Sequence, residues 1–240
     1  MRALIMAAGL GTRLRPLTDH SPKPLVPVLG RPMVEYVLEV LAQHGYPETL
    51  MNVHYLPEKM RAFAEQWNSA GKAPRIELQD ETNEILGSGG ALAKAQAWLF
   101  EKDSTALICN ADVIARPNLD ALLKAHQNAG AECTMALTPH PEAGRKYNGV
   151  ILENGLVKGF SQPGTPDPKL LHFFGYYLIN KSCMARLAPA GQKSNILEDV
   201  WKPLMKVGKL GGWKYEDYYL DLGTPEDLRE AEAFLKNQNR

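Results

Sequence analysis

The chain has 240 residues, 45% hydrophobic and 22% charged, a composition typical of one globular domain. Its 27 basic and 27 acidic side chains balance, so no overall field attracts it to nucleic acid or to an anionic membrane. Its three cysteines form no CxxC pair, which argues against a disulfide framework and a zinc site and fits a reducing cytoplasm. The six histidines show no metal-ligand spacing.

The first half of the chain alternates short β-rich runs with amphipathic stretches, which predicts βαβ units around a parallel sheet. The apolar run at residues 3–8 is too short for a signal sequence, so we expect neither secretion nor a membrane span. We place Pro32 in the first turn of the first helix. The predicted strands are residues 3–7, 49–55 and 75–79, and the predicted helices are residues 33–44 and 57–68.

The loop after the first strand reads AAGLGTRLRPLT over residues 7–18, and SPKPL follows over residues 21–25. Glycines 9 and 11 let backbone N–H groups approach phosphate oxygens without an intervening Cβ. Arg13 offers a planar fork of donors and Lys23 a compact charge between two prolines, so both cations suit one polyphosphate.

This loop differs from the two standard phosphate-binding motifs. Leu14 stands where a dinucleotide fingerprint has its third glycine, and no GK[ST] follows at the spacing of a P-loop. The pattern therefore argues against a dehydrogenase and against a P-loop ATPase.

Two aspartates lie at the ends of predicted strands. Asp112 follows a strand at residues 105–109, and Asp221 lies in a strand that ends at residue 223. Ligands of parallel sheets lie beyond such strand ends, and Mg²⁺ binds to one or two carboxylates together with substrate phosphates. The remaining predictions are helices at residues 118–128, 197–207 and from 224, a glycine-rich helix start at residues 86–92, strands at residues 148–151 and 156–160, and a loop at residues 162–168.

The motif GxGTRLxPLT followed by PKPL resembles the signature of the sugar-1-phosphate nucleotidyltransferase family, and the resemblance extends through nearly the whole chain. It implies the nucleotide-diphospho-sugar transferase fold, an α/β, Rossmann-like mixed and mainly parallel sheet flanked by helices. It also implies one domain over residues 1–240, with a nucleotide-binding half at 1–130 and a sugar-binding half at 131–240. The implied enzyme couples a nucleoside triphosphate to a sugar 1-phosphate by in-line attack on the α-phosphorus, with release of pyrophosphate.

The resemblance also implies the site residues. Arg13 and Lys23 are expected to be catalytic, and Asp112 and Asp221 are expected to hold Mg²⁺. The residues expected to bind the nucleotide are Ala8, Gly9, Gly11, Thr12, Gln79, Glu81, Gly87 and Gly89. The residues expected to bind the sugar are Asn110, Gly149, Gly175 and Glu198.

Several questions stay open at this point. An amide at residue 79 suits uracil and a carboxylate at residue 81 suits guanine, so UTP and GTP are both candidates. The sugar and the oligomeric state are not indicated. Two other functions remain: transfer to another phosphorylated alcohol such as phosphocholine, and a non-catalytic module that binds a nucleoside diphosphate sugar.

Overall fold

The computed structural model describes residues 1–238, which form two compact units. The first unit comprises residues 2–85, 109–116 and 218–238, and the second comprises residues 86–108 and 117–217 together with Met1. In chain order, the strands are β1 (Ala3–Met6), β2 (Pro27–Val28), β3 (Arg31–Pro32), β4 (Glu48–Val53), β5 (Arg75–Asp80), β6 (Thr105–Asn110), β7 (Val113–Ala115), β8 (Cys133–Pro139), β9 (Gly149–Glu153), β10 (Leu156–Ser161), β11 (Leu171–Asn180), β12 (Leu210–Lys214) and β13 (Tyr219–Asp221). The α-helices are α1 (Met33–Gln43), α2 (Pro57–Ser69), α3 (Gly87–Leu99), α4 (Leu119–Ala129), α5 (Lys202–Lys206) and α6 (Pro225–Gln238).

The first unit contains parallel β-structure. Its strands lie in the order β5, β4, β1, and both pairings are parallel. Two short antiparallel pairs, β2 with β3 and β7 with β13, complete its strands. Parallel strands need crossover connections, which α1 and α2 supply between β1, β4 and β5.

The second unit contains a mixed sheet in the order β6, β11, β8, β12, β10, β9. Here β12 pairs parallel with β8, whereas β11 and β8, β10 and β12, and β9 and β10 pair antiparallel. The predicted mixed α/β fold with a sheet flanked by helices is confirmed. The predicted division of one domain into halves at residue 130 stays a prediction.

The helices begin and end at residues that suit these positions. At α4, the Asn118 side chain accepts a hydrogen bond from the Ala121 N–H at 2.9 Å, and Gly130 ends the helix at φ +54°. At α6, Thr224 and Asp227 exchange two hydrogen bonds between side chain and backbone, at 2.7 and 3.2 Å. These contacts stabilise the predicted starts of both helices.

One local prediction was wrong, and a second element is less regular than expected. Pro32 precedes α1 and ends β3 with an extended ψ of 134°, because the Met33 N–H donates to the Val26 carbonyl and turns the chain there. The helix predicted at residues 197–207 is present: a π-helical turn, Leu197–Trp201, continues without a break into α5. Pro203 has no N–H to donate to the carbonyl four residues earlier, which suits the irregular hydrogen bonding at this junction. No helix within residues 1–238 is long and apolar enough to cross a membrane.

Candidate active site

The loop that follows β1 turns around Gly11. Gly11 has φ +65°, and its carbonyl accepts hydrogen bonds from the Leu14 N–H at 2.9 Å and from the Thr18 hydroxyl at 2.8 Å. A Cβ at this position would lie 2.9 Å from Thr18 Cγ2 and 3.0 Å from Lys23 Cβ. Glycine is therefore required by both the backbone angle and the space. At Gly9, by contrast, a Cβ would meet nothing within 4 Å, so the loop is open there.

Lys23 and Asp112 form an ion pair although 89 residues separate them. Lys23 Nζ donates to Asp112 Oδ2 at 2.5 Å, and the lysine is buried in a 3₁₀ turn over Lys23–Leu25. The turn after β6 is fixed by the Ala111 N–H, which donates to the Met6 carbonyl at 3.2 Å. The structure thus brings Lys23, a predicted catalytic cation, into contact with Asp112, a predicted metal-binding aspartate, beside the end of β1.

The backbone of Asp221 lies close to that of Asp112 because β13 is paired with β7, the strand that Asp112 precedes. It is the last residue of β13, and it pairs in register with Val113, the residue that follows Asp112. Opposed residues of an antiparallel pair have Cα atoms about 4.5–5.5 Å apart. The two aspartates therefore occupy neighbouring positions on paired segments, as their predicted shared role requires.

The two aspartates are a suitable but incomplete donor set for Mg²⁺. Residues 1–238 contain no group of three or more His, Cys, Asp or Glu side chains placed to hold a metal ion. Mg²⁺ is commonly bound through one or two carboxylates, with substrate phosphates and water supplying the other oxygens. Asp112 and Asp221 fit an ion that arrives with a phosphorylated ligand.

Arg13 lies exposed against the segment that follows Asp221. A Cβ at Gly223 would lie 3.1 Å from Arg13 Nη1, 3.3 Å from Asp227 Oδ2 and 3.4 Å from Arg13 Cζ, so the guanidinium lies in close contact with this glycine. Arg13 makes no ion pair with another side chain in the part of the chain that the structure describes. Its donors are therefore available to an anion near the two aspartates.

The two residues predicted to read the base lie buried at the end of β5. Gln79 Nε2 donates to Glu81 Oε1 at 2.9 Å, and Asn52 Nδ2 donates to the same oxygen at 3.1 Å. Gln79 and Glu81 are 7% and 3% exposed, so protein groups surround both side chains. Their contact with a nucleotide base stays a prediction.

Gly87 and Gly89 belong to the second unit, at the start of α3. Here the Gly89 and Gly90 N–H groups donate to the Ser194 carbonyl at 2.9 and 3.3 Å. A Cβ at Gly87 would lie 2.8 Å from that carbonyl oxygen, and one at Gly89 would lie 2.6 Å from Ser194 Oγ. Close packing against Ser194 thus explains both glycines, and their nucleotide contact stays a prediction.

Comparison with known proteins identifies the family. Residues 2–238 match the family model described as nucleotidyl transferase. The chain belongs to this family. The chain is 32% identical over 241 residues to a mannose-1-phosphate guanyltransferase of Emericella nidulans and 28% identical over 242 residues to a UTP–glucose-1-phosphate uridylyltransferase of Synechocystis. These alignments cover 95% and 96% of the chain, but the chain spans only 62% of the length of each relative.

Solved structures share the fold of this chain. HddC from Yersinia pseudotuberculosis superposes with a TM-score of 0.80 at 21% identity, covering 98% of this chain and 99% of HddC. The same protein complexed with GMP-PN gives a TM-score of 0.78 at 19% identity, with the same coverage. The family predicted from the loop motif is confirmed.

The four residues predicted to bind the sugar are divided between the two units. Asn110 ends β6 in the first unit, and the other three lie in the second unit. Gly149 begins β9, where a Cβ would lie 2.7 Å from Leu170 Cδ1, and Leu170 lines a cavity of about 540 Å³. Gly175 has φ +89° within an irregular stretch of β11, and Glu198 pairs with Lys202 at 2.6 Å. Their contact with a sugar stays a prediction.

The thiols of Cys109, Cys133 and Cys183 are buried and free. Burial raises the pKa of Cys109 and of Cys133 well above the ordinary value, and burial together with Glu132 raises the pKa of Cys183 to about 11. All three thiols are therefore protonated at neutral pH and are poor nucleophiles. Burial, with His140 nearby, lowers the pKa of His172 to about 4, so that imidazole is neutral.

Proposed function

We propose that this nucleotidyl transferase couples a nucleoside triphosphate to a sugar 1-phosphate and releases pyrophosphate. The observation that carries the proposal is the grouping of Lys23, Asp112, Asp221 and Arg13 around the Gly9–Gly11 loop. Two cations and two carboxylates beside an open glycine loop suit a bound polyphosphate and its metal ion. The names of the relatives, a guanyltransferase of mannose 1-phosphate and a uridylyltransferase of glucose 1-phosphate, support the same reaction.

In the proposed reaction, a phosphate oxygen of the sugar 1-phosphate attacks the α-phosphorus of the triphosphate in line. A new P–O bond forms to the sugar phosphate as the bond to the pyrophosphate oxygen breaks, so no covalent enzyme intermediate is needed. The acceleration then comes from positioning and from neutralisation of charge.

Each cation has a separate role in this proposal. Lys23, buried and held by Asp112 at 2.5 Å, offers an ordered positive charge to the α-phosphate. Arg13, exposed against Gly223, neutralises the departing pyrophosphate with its planar fork. Asp112 and Asp221 would hold Mg²⁺, which would supply further positive charge to the phosphate oxygens.

The other contacts predicted from the sequence belong to the same proposal. Ala8, Gly9, Gly11 and Thr12 are assigned to the phosphates, and Gly87 and Gly89 to the nucleoside. The sugar is assigned to Asn110, Gly149, Gly175 and Glu198. GTP and UTP are both candidate donors, in line with the two named relatives.

A substrate matrix tests the proposal. We expect pyrophosphate release when Mg²⁺, GTP or UTP, and a hexose 1-phosphate are present together, and no release when EDTA replaces Mg²⁺. Each of the four common triphosphates is combined with several sugar 1-phosphates and with phosphocholine. Turnover with phosphocholine alone would point to another phosphorylated alcohol as acceptor. Binding of a nucleoside diphosphate sugar without any turnover would favour a regulatory module.

Gly223 provides a prediction about Arg13. A Cβ in Gly223→Ala would lie 3.1 Å from Arg13 Nη1 and 3.3 Å from Asp227 Oδ2, so the guanidinium would have to shift by a few tenths of an ångström. We expect kcat to fall by about tenfold or more, because a small misplacement of a charge-stabilising group costs transition-state energy. Steady-state pyrophosphate release, with thermal unfolding measured in parallel, checks this result.

Gly159→Ala is the matched control. Its Cβ would also lie 3.1 Å from a side-chain atom, Ile151 Cδ1, but in β10 of the second unit. We expect this variant to keep the parent kcat. Equal kcat losses in both variants would show that the loss at Gly223 does not come from Arg13.

A further inference from the structure

A chain of buried polar side chains is hydrogen-bonded to the start of the loop that follows β1 and contains Gly9 and Gly11, here called the phosphate loop. Asn52, in β4, and Glu81, directly after β5, are 2% and 3% exposed. β4 lies between β1 and β5, and the Glu81 N–H extends the β4–β5 pairing by donating to the Val53 carbonyl at 2.8 Å. Burying a polar side chain costs free energy unless the side chain is hydrogen-bonded. The hydrogen-bond partners of Asn52 and Glu81 therefore indicate what these two side chains do.

The hydrogen bonds run from the loop to the carboxylate. The Ala7 N–H donates to Asn52 Oδ1 at 2.7 Å, Asn52 Nδ2 donates to Glu81 Oε1 at 3.1 Å, and Gln79 Nε2 donates to the same oxygen at 2.9 Å. A backbone N–H can only donate, and an ionised carboxylate can only accept. The amide of Asn52 is therefore fixed in one orientation, with its oxygen toward Ala7 and its nitrogen toward Glu81.

Ala7 is the first residue after β1 and the start of the glycine loop. Its N–H is held by a side chain, so the exit direction of the loop depends on Asn52. Four residues later, Gly11 packs against Thr18 and Lys23 with no room for a Cβ. A shift at Ala7 would therefore be transmitted to the position of Lys23.

We propose that Asn52 and Glu81 are positioning residues for the transfer reaction, which hold the Ala7 N–H and so place the phosphate loop without touching the substrate. This inference rests on the proposed function for its kinetic consequence. It replaces, for Glu81, the base contact expected from the sequence. Glu81 acts through Asn52, whose amide it orients.

Exchange of the two side-chain types provides the test. Asn52→Asp keeps an acceptor for Ala7 but places a second carboxylate against Glu81, and we expect kcat to fall at least about thirtyfold. In the double variant Asn52→Asp/Glu81→Gln, the new amide nitrogen at position 81 can donate one hydrogen to the new carboxylate at position 52 and the other to Gln79 Oε1, once the Gln79 amide turns over, with the total charge unchanged. We expect this double variant to recover most of the lost kcat.

Two readouts separate positioning from other roles. The ratio of kcat/KM for GTP to that for UTP stays within about twofold in Glu81→Gln if Glu81 does not read the base, and a roughly tenfold change would overturn the proposal. Hydrogen exchange of the backbone at residues 7–14 becomes at least about tenfold faster in Asn52→Asp and returns toward the parent rate in the double variant. Unchanged exchange there would also overturn it. The exchange readout needs no substrate, so it stands even if the proposed reaction fails.

Thr49→Val controls for general weakening of the β1–β4 pairing. Thr49 is fully buried in β4, and its hydroxyl donates to the Ala3 carbonyl of β1 at 3.0 Å, away from the loop. We expect Thr49→Val to lower the melting temperature while kcat and loop exchange stay at the parent values. A kcat loss in Thr49→Val as large as that in Asn52→Asp would show that stability, not loop position, is responsible.

Discussion

The Asp112→Asn variant is expected to release pyrophosphate about a thousand times more slowly than the parent while keeping its fold. The change removes a carboxylate from the pair that would hold Mg²⁺ and removes the negative partner of Lys23, whose Nζ lies 2.5 Å from Asp112 Oδ2. An amide oxygen can still accept from Lys23, so the buried ammonium keeps a hydrogen bond and the turn after β6 keeps its shape. Single-turnover measurements at saturating Mg²⁺ and triphosphate give the effect on the chemical step.

Asp120→Asn is the matched control, since Asp120 is an exposed residue in the first turn of α4. We expect parent activity from it. If Asp112→Asn also retained activity near the parent value, Asp112 would not belong to the transfer chemistry. If the melting temperature of Asp112→Asn fell so far that the variant was mostly unfolded at the assay temperature, the activity loss would reflect lost stability.

The elements of the first unit could be predicted closely because each has a local signal. The strand β1 is a short apolar run, β4 has an apolar centre and β5 alternates apolar with polar residues, while α1 carries buried Val34, Leu38 and Leu41 at helical spacing. The strands β8 and β11 went unpredicted. β8 is buried at nearly every position and so has no alternating pattern, and Gly175 interrupts β11 with a positive φ.

In the candidate site, too, features with a local sequence signal could be predicted and contacts that depend on the fold could not. Arg13, Lys23, Asp112 and Asp221 could be named because a charged side chain beside a glycine loop or at a strand end is a local feature of the sequence. Which cation meets which carboxylate depends on the pairing of β7 with β13 and on the turn after β6, which are contacts between distant segments. Asn52 and Gly223 were not predicted to contribute, since each acts only through a neighbour that the fold supplies. Of these two residues, Asn52 had a signal in the sequence, since it is a polar residue near the end of a strand.

The second large effect is expected at Lys23, in the variant Lys23→Met. Methionine keeps the length and packing of the stem beside Gly11 but removes the charge proposed to act on the α-phosphate. We expect kcat to fall by about a hundredfold or more, with a smaller change in KM for the triphosphate, because the charge acts mainly on the transition state. Steady-state kinetics give both constants, and the thermal shift produced by the triphosphate with Mg²⁺ reports binding separately.

Two further variants, Lys23→Arg and the double variant Lys23→Met/Asp112→Asn, sharpen this test. The guanidinium is bulkier than an ammonium, so we expect it to fit poorly in a buried turn and to restore little activity. Lys23 and Asp112 form an ion pair that either single variant already disrupts, so the double variant should lose less than the sum of the two single losses. Additive losses would mean that the two side chains act independently. Lys124→Met, at an exposed lysine of α4 that has no role in the proposed reaction, is the control and should leave kcat unchanged.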